Sequence, residues 1–256
     1  MDFSRASDIA HTHHPIAAPV SPETLRTVVQ RLSPLSGDAG VLDLGCGHGQ
    51  WLLEALDAHP AATGVGVDLS LPAGLAEATA ARGLTDRVQW VEADAVSWTT
   101  DRSFDVVLSV GATHAFGELE ATVAAARRFL RPHGQLVLGD GIWDAPPSPA
   151  TQAALEAGPE DLPDLAGLVD RVQAQGWGPG YGHVSSLAEW DDYEFSWTGS
   201  LTAWALDDAR SAQDRAEALA IVREHRTAWL RAWRGQLGFA TLVLHDVRET
   251  ATSGSA

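Results

Sequence analysis

Three glycines at alternate positions, directly after a short apolar run, constrain this chain more than any other feature. Val41–Leu44 is typical of a buried strand, the glycines at 45, 47 and 49 of a tight turn, and a helix is predicted to begin at Gln50. Because glycine has no Cβ, its backbone can adopt positive φ and approach a ligand closely. The order of strand, glycine turn and helix therefore predicts a ligand-binding turn in an α/β protein.

An acid inside the strand separates two kinds of glycine-rich loop. A dinucleotide loop of the G-x-G-x-x-G type directs its glycines at a pyrophosphate. Here the spacing is G-x-G-x-G, and Asp43, two residues before Gly45, would repel a phosphate but suits a cationic ligand. The sequence D-x-G-x-G-x-G resembles the cofactor loop of class I S-adenosylmethionine (SAM) methyltransferases. The resemblance implies SAM as cofactor, in contact with Asp43, Gly45, Cys46 and Gly47.

The charge balance and the single cysteine restrict the partners and the compartment. Basic residues number 17 and acidic residues 34, so the net charge is −17 and the surface should repel nucleic acid. Cys46 is the only cysteine, which fits a reducing compartment. No signal core is visible, and no apolar run reaches the ~18 residues that span a bilayer. We expect a cytoplasmic protein with no membrane partner, and the sequence predicts no oligomeric state.

Strands and helices alternate along the first half of the chain, which predicts a doubly wound, mostly parallel sheet. Further predicted strands are 63–69, 88–93, 104–110, 135–139 and 238–244, with helices over 70–82 and 118–130 among them. The resemblance implies an α/β methyltransferase fold of seven strands, with the last strand antiparallel beside a sixth at about 182–186. The resulting layout is an N-terminal segment 1–20, a methyltransferase domain 21–247 and a disordered tail 248–256.

An acid ends the second predicted strand. Asp68 lies 19 residues after Gly49, near the ~20-residue spacing at which a strand-end acid meets a ribose in Rossmann-like units. One carboxylate can accept hydrogen bonds from both hydroxyls of a diol, and Leu69 can stack on an adenine. The alternative for Asp68 is a helix N-cap, a role for which Ser70 competes.

Another acid follows the third predicted strand. In the methyltransferases that this chain resembles, an acid at the position of Asp94 accepts the adenine amino group, and the next backbone N–H, here that of Ala95, meets a ring nitrogen. Asp94 could instead cap a turn ahead of Trp98. Ser109, near the end of the fourth strand, completes the predicted cofactor contacts.

The second half of the chain is rich in tryptophan and in acids. Seven of the ten tryptophans follow residue 140, and residues 140–194 hold eleven acids against one base. Helices predicted over about 150–175 and 189–235 surround the sixth strand and suggest a helical lid over 145–180 and 189–236. An aromatic stripe at helical spacing is more often core than ligand site, although aromatic side chains among carboxylates in 189–205 suit a lid over a substrate pocket.

Three short phrases resemble a narrower, type 11-like group of small-molecule methyltransferases. They are G-A-T-H-A-F-G at 111–117, an aromatic residue followed by P-P at 143–147, and W-D-D-Y-E at 190–194. The residues that we expect to contact the substrate are His14, Trp143, Trp190 and Tyr193. Acids and aromatic rings together suggest an amine or other cationic acceptor.

Residues 1–20 show no periodicity and contain His11, His13 and His14. Three interpretations are open: a mobile tail, a metal site, or a segment that folds over the cofactor pocket. No cysteine or carboxylate accompanies the histidines at metal-ligand spacing. No metal ligand is therefore predicted.

Methyl transfer from a sulfonium requires mainly that nucleophile and methyl group be held in line. A base is needed only where the acceptor must lose a proton. His114, in the loop after the fourth strand, is the candidate base, and its alternative is a loop histidine bonded to backbone. The acids that metal-dependent catechol-type enzymes require are missing from 109–117, so a metal-independent transfer to an oxygen or nitrogen nucleophile is favoured.

Two other functions remain open from the sequence. A SAM-binding protein without methyl transfer needs the same loop, although a sensor has little use for an aromatic lid. An NAD-dependent oxidoreductase is disfavoured by the G-x-G-x-G spacing and by Asp43. Binding of S-adenosylhomocysteine (SAH) against binding of NAD would separate the second alternative from a methyltransferase.

Overall fold

The computed structural model of the chain describes residues 1, 3–35 and 37–248 and contains a seven-stranded sheet. The strands are β1 (Gly40–Leu44), β2 (Thr63–Asp68), β3 (Val88–Glu92), β4 (Phe104–Val110), β5 (Leu130–Trp143), β6 (Trp177–Val184) and β7 (Leu237–Asp246). Their order across the sheet is β3-β2-β1-β4-β5-β7-β6. The pairs β1–β2, β1–β4, β2–β3 and β4–β5 are parallel. This α/β architecture confirms the predicted fold class.

The last strand runs antiparallel to β6, as predicted. The backbone N–H of Ser185, just after β6, donates to the carbonyl of Phe239 at 2.9 Å. At the other end of the pair, the N–H of Val247 donates to the carbonyl of Gly176 at 3.1 Å. Residue numbers therefore rise along β6 as they fall along β7. The predicted sixth strand at 182–186 is placed too late, because β6 begins at Trp177.

The helices differ more from the prediction than the strands do. They are α1 (Phe3–Ala10), α2 (Pro22–Val29), α3 (Gln50–Ala58), α4 (Leu75–Ala81), α5 (Thr113–Phe116), α6 (Leu119–Phe129), α7 (Pro149–Leu155), α8 (Leu165–Ala174), α9 (Leu187–Ala205) and α10 (Ala212–Ala228), which continues into a π-helical turn, Trp229–Trp233. The helix predicted over 150–175 is two helices, because Pro159 and Pro163 interrupt it. The helix predicted over 189–235 is likewise divided, with Ser211 capping the start of α10.

The described chain divides into two compact units. The sheet unit consists of residues 23–140, 166–183 and the chain from 240 onward. The helical unit consists of residues 1–22, 141–165 and 184–239. The predicted tail 248–256 lies, beyond residue 248, outside the described residues. No helix in the described part of the chain combines the length and apolar character needed to cross a bilayer.

The N-terminal segment is not a mobile tail. Residues 3–10 form α1, whose Ala6 and Ala10 are fully buried against Trp197 and Leu201 of α9. Alanines four residues apart lie on the same face of a helix and allow close packing. The sequence pattern missed this helix because its buried face carries small residues instead of large apolar ones.

Candidate active site

The glycine turn after β1 has the predicted backbone conformation. Gly45, Gly47 and Gly49 have φ values of 81°, 47° and 70°. A Cβ on Gly45 would lie 2.5 Å from the Cβ of Ala112, and one on Gly49 would lie 2.5 Å from the ring of Trp90. A Cβ on Gly47 would have no described atom within 4 Å. The outer glycines therefore serve packing, whereas the backbone of Gly47 is open to a ligand.

The turn is bonded to the end of β2. The N–H groups of Gly45 and Cys46 donate to the carbonyl of Val67 at 2.9 and 3.1 Å. The N–H of Gly47 donates to Oδ2 of Asp68 at 2.8 Å. The carboxylate predicted to hold a ribose thus also fixes the position of the glycine turn.

The surroundings of Asp68 exclude the helix-cap alternative. Its Oδ1 accepts a hydrogen bond from the N–H of Ser70 at 3.2 Å, whereas α4 begins only at Leu75. The next residue, Leu69, is 69% exposed. An apolar side chain this exposed beside a strand-end acid leaves a surface on which a ring can stack.

Asp94 forms the turn that was its alternative role. Its Oδ1 accepts from the N–H of Val96 at 2.9 Å, and its backbone carbonyl accepts from the N–H of Trp98 at 2.9 Å. Ala95 between them is buried. The carboxylate is exposed and keeps further lone pairs, so contact of Asp94 and Ala95 with adenine stays a prediction.

Asp43 is buried, with 3% of its surface exposed. Burial and the nearby charge of Asp68 raise the pKa of Asp43 to about 8, and a hydrogen bond from the backbone of Leu52 partly opposes this shift. Burial, with the charges of Asp43 and Asp68, also raises the pKa of the Cys46 thiol. The thiol therefore stays protonated, and Cys46 can meet a ligand only as a small apolar group.

Buried polar atoms without partners lie at the carboxyl ends of β1 and β4. Within the described residues, Oδ2 of Asp43, Oγ of Ser109 and Oγ1 of Thr113 are shielded from solvent and have no hydrogen-bond partner. Each such atom costs about 1–3 kcal/mol when it stays unpaired, which points to a polar ligand. The sequence analysis missed Thr113, whose signal is a lone hydroxyl among glycine and alanine directly after a buried strand.

The candidate base His114 lies on the short helix α5, and its side chain is exposed. The carbonyl of His114 accepts the N–H of Gly117 at 3.3 Å. No hydrogen bond of its ring is seen within the described residues. The catalytic role of His114 stays a prediction.

The helical unit brings together most of the residues predicted to contact the substrate. The rings of His14 and Trp190 stand edge-on to Tyr193, with centroids 5.3 and 6.3 Å away. Trp143, at the end of β5, is buried, and its backbone N–H donates to the carbonyl of Pro163 at 2.9 Å. The indole N–H groups of Trp143 and Trp190 are shielded from solvent and have no acceptor among the described residues.

Two acids of the 190–194 phrase are used inside this unit. Asp191 binds Arg234 through both carboxylate oxygens at 2.8 Å. Oε2 of the buried Glu194 lies 2.7 Å from Nε2 of His225, whose ring stacks on Trp197 at 4.3 Å. The suggestion of a cationic acceptor, which rested on these acids and rings, therefore loses two of its carboxylates.

The strand order, with a glycine turn at the end of β1, is that of Rossmann-like α/β proteins, which bind ligands at the carboxyl ends of the strands. A family model described as a methyltransferase domain matches residues 41–134. The crystal structure of a SAM-dependent methyltransferase from Geobacter sulfurreducens in complex with SAH superposes with a TM-score of 0.85, at 26% identity, over 95% of this chain and 98% of that one. The chain is a class I SAM-dependent methyltransferase.

Two curated relatives extend the comparison. The Escherichia coli protein YjhP is 29% identical over 229 residues, which cover 85% of this chain and 90% of that protein. The 27-O-demethylrifamycin SV methyltransferase of Amycolatopsis mediterranei is 33% identical over 134 residues. This second similarity covers 52% of this chain and 47% of the relative, so the chain matches just under half of it.

Replacing Asp43 with Asn should remove a pH-dependent loss of stability. Between the ordinary pKa of 3.8 and the folded-state value of about 8, the folded chain holds a proton that the unfolded chain has released. The free energy of unfolding should therefore fall as pH rises through this window, by at most about 1.4 kcal/mol per pH unit. Urea unfolding of both proteins from pH 5 to 8 should show that the free energy of unfolding of Asp43→Asn rises relative to that of the wild type as pH increases. If the free energies of unfolding of the two proteins changed in parallel with pH, the raised pKa of Asp43 would be contradicted.

Proposed function

We propose that the chain transfers the methyl group of SAM to an oxygen or nitrogen atom of a small molecule, without a metal ion. The observation that carries the proposal is the group of unpaired polar atoms of Asp43, Ser109 and Thr113 beside the open backbone of Gly47. A ligand with several polar groups and a positive charge would compensate them. The neighbour from Geobacter sulfurreducens, bound to SAH, supports the same cofactor here.

In this proposal Asp68 binds the ribose. Each of its oxygens already accepts one backbone N–H, from Gly47 or Ser70. A carboxylate has about four lone-pair sites, so roughly two remain for the two hydroxyls of a diol. Leu69 would stack on the adenine, with Asp94 and Ala95 at its polar edge.

Asp43, Ser109 and Cys46 are proposed to surround the remainder of the cofactor. A carboxyl group with a pKa of about 8 is partly ionised near neutral pH. A sulfonium or an ammonium close to Asp43 would favour the ionised form. Cofactor binding should therefore be accompanied by loss of a proton from Asp43.

The acceptor is proposed to be a small molecule bound through aromatic and histidine side chains. The curated relative from Amycolatopsis mediterranei is named as a methyltransferase of 27-O-demethylrifamycin SV. In this chain, Trp143 and Trp190 supply apolar surface together with unpaired N–H donors. Because a sulfonium is a reactive methyl donor, the protein needs mainly to align the acceptor and exclude water, which can contribute roughly 7–11 kcal/mol.

Replacing Asp68 with Ala should weaken SAH binding by about 1.5–3 kcal/mol, the value of hydrogen bonds to a charged group, or roughly 10–150-fold in Kd. Isothermal titration calorimetry measures the change. Glu92→Ala is the matched control, because Glu92 is exposed and is the register partner of Asp68 on β3. An unchanged Kd for Asp68→Ala would remove the ribose assignment. Wild-type binding of NAD in place of SAH would contradict the proposed function.

Replacing His114 with Ala should slow methyl transfer by about 100-fold or more if the ring takes part in proton transfer, and should leave the affinity for SAH nearly unchanged. The measurement is SAH formation from SAM with an acceptor found in a panel of small phenols and amines. Full activity of the variant would show that His114 is not the base, and alignment of the acceptor with the methyl group would then account for catalysis. Absence of turnover by the wild type with every acceptor class would favour a SAM-binding protein without transfer.

A further inference from the structure

The last helix of the helical unit carries a basic face. Five residues of α10 and of its π-helical continuation each lie three or four positions from another of the five: Arg223, Arg226, Thr227, Leu230 and Arg231. Side chains at this spacing are neighbours on the surface of a helix. Together they line a concavity of about 450 Å³, which we call the arginine cavity. All of its lining belongs to one compact unit of the fold.

The three guanidinium groups of the arginine cavity lack partners within the described residues. The side chains of Arg223, Arg226 and Arg231 form neither a hydrogen bond nor an ion pair there. Nε of Arg226 is in addition shielded from solvent. Arg234, three positions after Arg231, behaves differently, because it binds both carboxylate oxygens of Asp191 at 2.8 Å. The cavity therefore contains the unpaired part of a helix end that is otherwise anchored.

Unpaired arginines are unexpected in so acidic a chain. It has 34 acidic and 17 basic residues, so carboxylates are in excess as partners. A helix dipole attracts basic side chains only in the last turn, which accounts for Arg231 but not for Arg223 or Arg226. Glu224 is adjacent in sequence, yet neighbouring positions do not face each other on a helix, and Glu224 does not line the cavity. The free protein thus holds positive charges together that an anion would compensate.

The number of positive charges favours phosphate over carboxylate. A guanidinium group presents its N–H donors as a planar fork that matches the oxygens of either anion. Because Nε of Arg226 is unpaired, the fork of Nε and one Nη is complete. A carboxylate brings one charge and two oxygens, which suit a single fork. A phosphate monoester brings about two charges and three acceptor oxygens near pH 7, which suit three arginines.

An apolar side chain lies among the arginines. Leu230 lines the cavity and is 48% exposed. Covering apolar surface with an apolar group of a ligand is favourable, and a volume of about 450 Å³ is within the range of small-molecule sites. The site therefore suits a phosphate that is joined to an organic part.

The net charge of the chain favours a soluble ligand over a lipid headgroup. A membrane of anionic lipids presents negative charge along the whole protein, and a chain with a net charge of −17 would be repelled by it. The charges of a small dianion are screened beyond about 8 Å at physiological ionic strength. Such a ligand responds mainly to the three arginines next to it.

We propose that the arginine cavity binds a soluble phosphate monoester. The phosphate is held by the three arginines and by the hydroxyl of Thr227, and the organic part covers Leu230. This site goes beyond the proposed function and does not depend on it, because every residue that forms it belongs to the helical unit.

Isothermal titration calorimetry of the full chain with phenyl phosphate, at pH 7.5 and constant ionic strength, tests the proposal. We expect saturable binding that Arg226→Gln weakens by about tenfold or more, the value of a hydrogen bond to a charged group. Arg223→Gln repeats the test at an exposed position. Arg215→Gln is the matched control and should leave the Kd unchanged. Arg215 lies on the same helix, about 12 Å before Arg223, and does not line the cavity.

Two further variants test the fork and the apolar contact separately. Arg226→Lys keeps the charge but not the planar fork, so it should bind phenyl phosphate more weakly than the wild type. Leu230→Ala should weaken binding of phenyl phosphate and leave binding of inorganic phosphate unchanged. Equal affinity of Arg226→Lys and wild type, or no effect of Leu230→Ala on phenyl phosphate, would contradict the proposed mode of binding.

Absence of saturable binding by the wild type, or equal losses in Arg226→Gln and Arg215→Gln, would overturn the proposal. Vesicles of phosphatidic acid in phosphatidylcholine should not sediment the chain. Sedimentation that Arg226→Gln abolishes would assign the cavity to a lipid headgroup and overturn the soluble ligand. SAH titrations on the same samples distinguish the two proposals: loss of phosphate binding with intact SAH binding refutes the cavity alone, and the converse refutes the proposed function alone.

Discussion

The hydrogen bond from the N–H of Gly47 to the carboxylate of Asp68 is the interaction on which the rest of the site depends. It joins the glycine turn after β1 to the end of β2, and in the proposed function the remaining lone pairs of the same carboxylate accept the ribose hydroxyls. Gly47 has a positive φ of 47° in this turn, a conformation that glycine adopts without strain. Because this region also contains the unpaired oxygens of Asp43 and Ser109, the free protein stores an unfavourable polar environment that a cofactor can relieve.

Much of the sheet unit could be predicted from the sequence, since its signals are local. A continuous apolar strand, alternate glycines and acids at strand ends each occur within a few residues, and β1, β2 and β4 lie where those signals place them. The antiparallel β7 came from family resemblance, because the sequence carries no signal for strand direction. For Asp94 the local signal did not distinguish two roles. Its carboxylate accepts a hydrogen bond from Val96 in a turn, and contact with adenine stays a prediction.

The helical unit was harder to predict because its contacts join residues far apart in the chain. α1 packs through Ala6 and Ala10, small residues that give no amphipathic pattern, and it places His11 beside Tyr193, 182 positions later. Which ring nitrogen of His11 and of His14 carries the proton depends on the backbone carbonyls of Ser7 and Ile16, which lie next to Nδ1 of the two rings. No sequence motif records such bonds, so the sequence left three interpretations of the N-terminal histidines open: a mobile tail, a metal site, or a segment that folds over the cofactor pocket.

The central claim is that the carboxyl edge around Asp68 holds the methyl donor. A crystal structure of the chain with S-adenosylhomocysteine tests it most directly. The account predicts ribose hydroxyls about 2.7 Å from the Asp68 carboxylate, adenine on Leu69, and polar groups of the ligand within reach of Asp43 or Ser109. A ligand bound elsewhere, or an Asp68 carboxylate turned away from the ribose, would contradict the account.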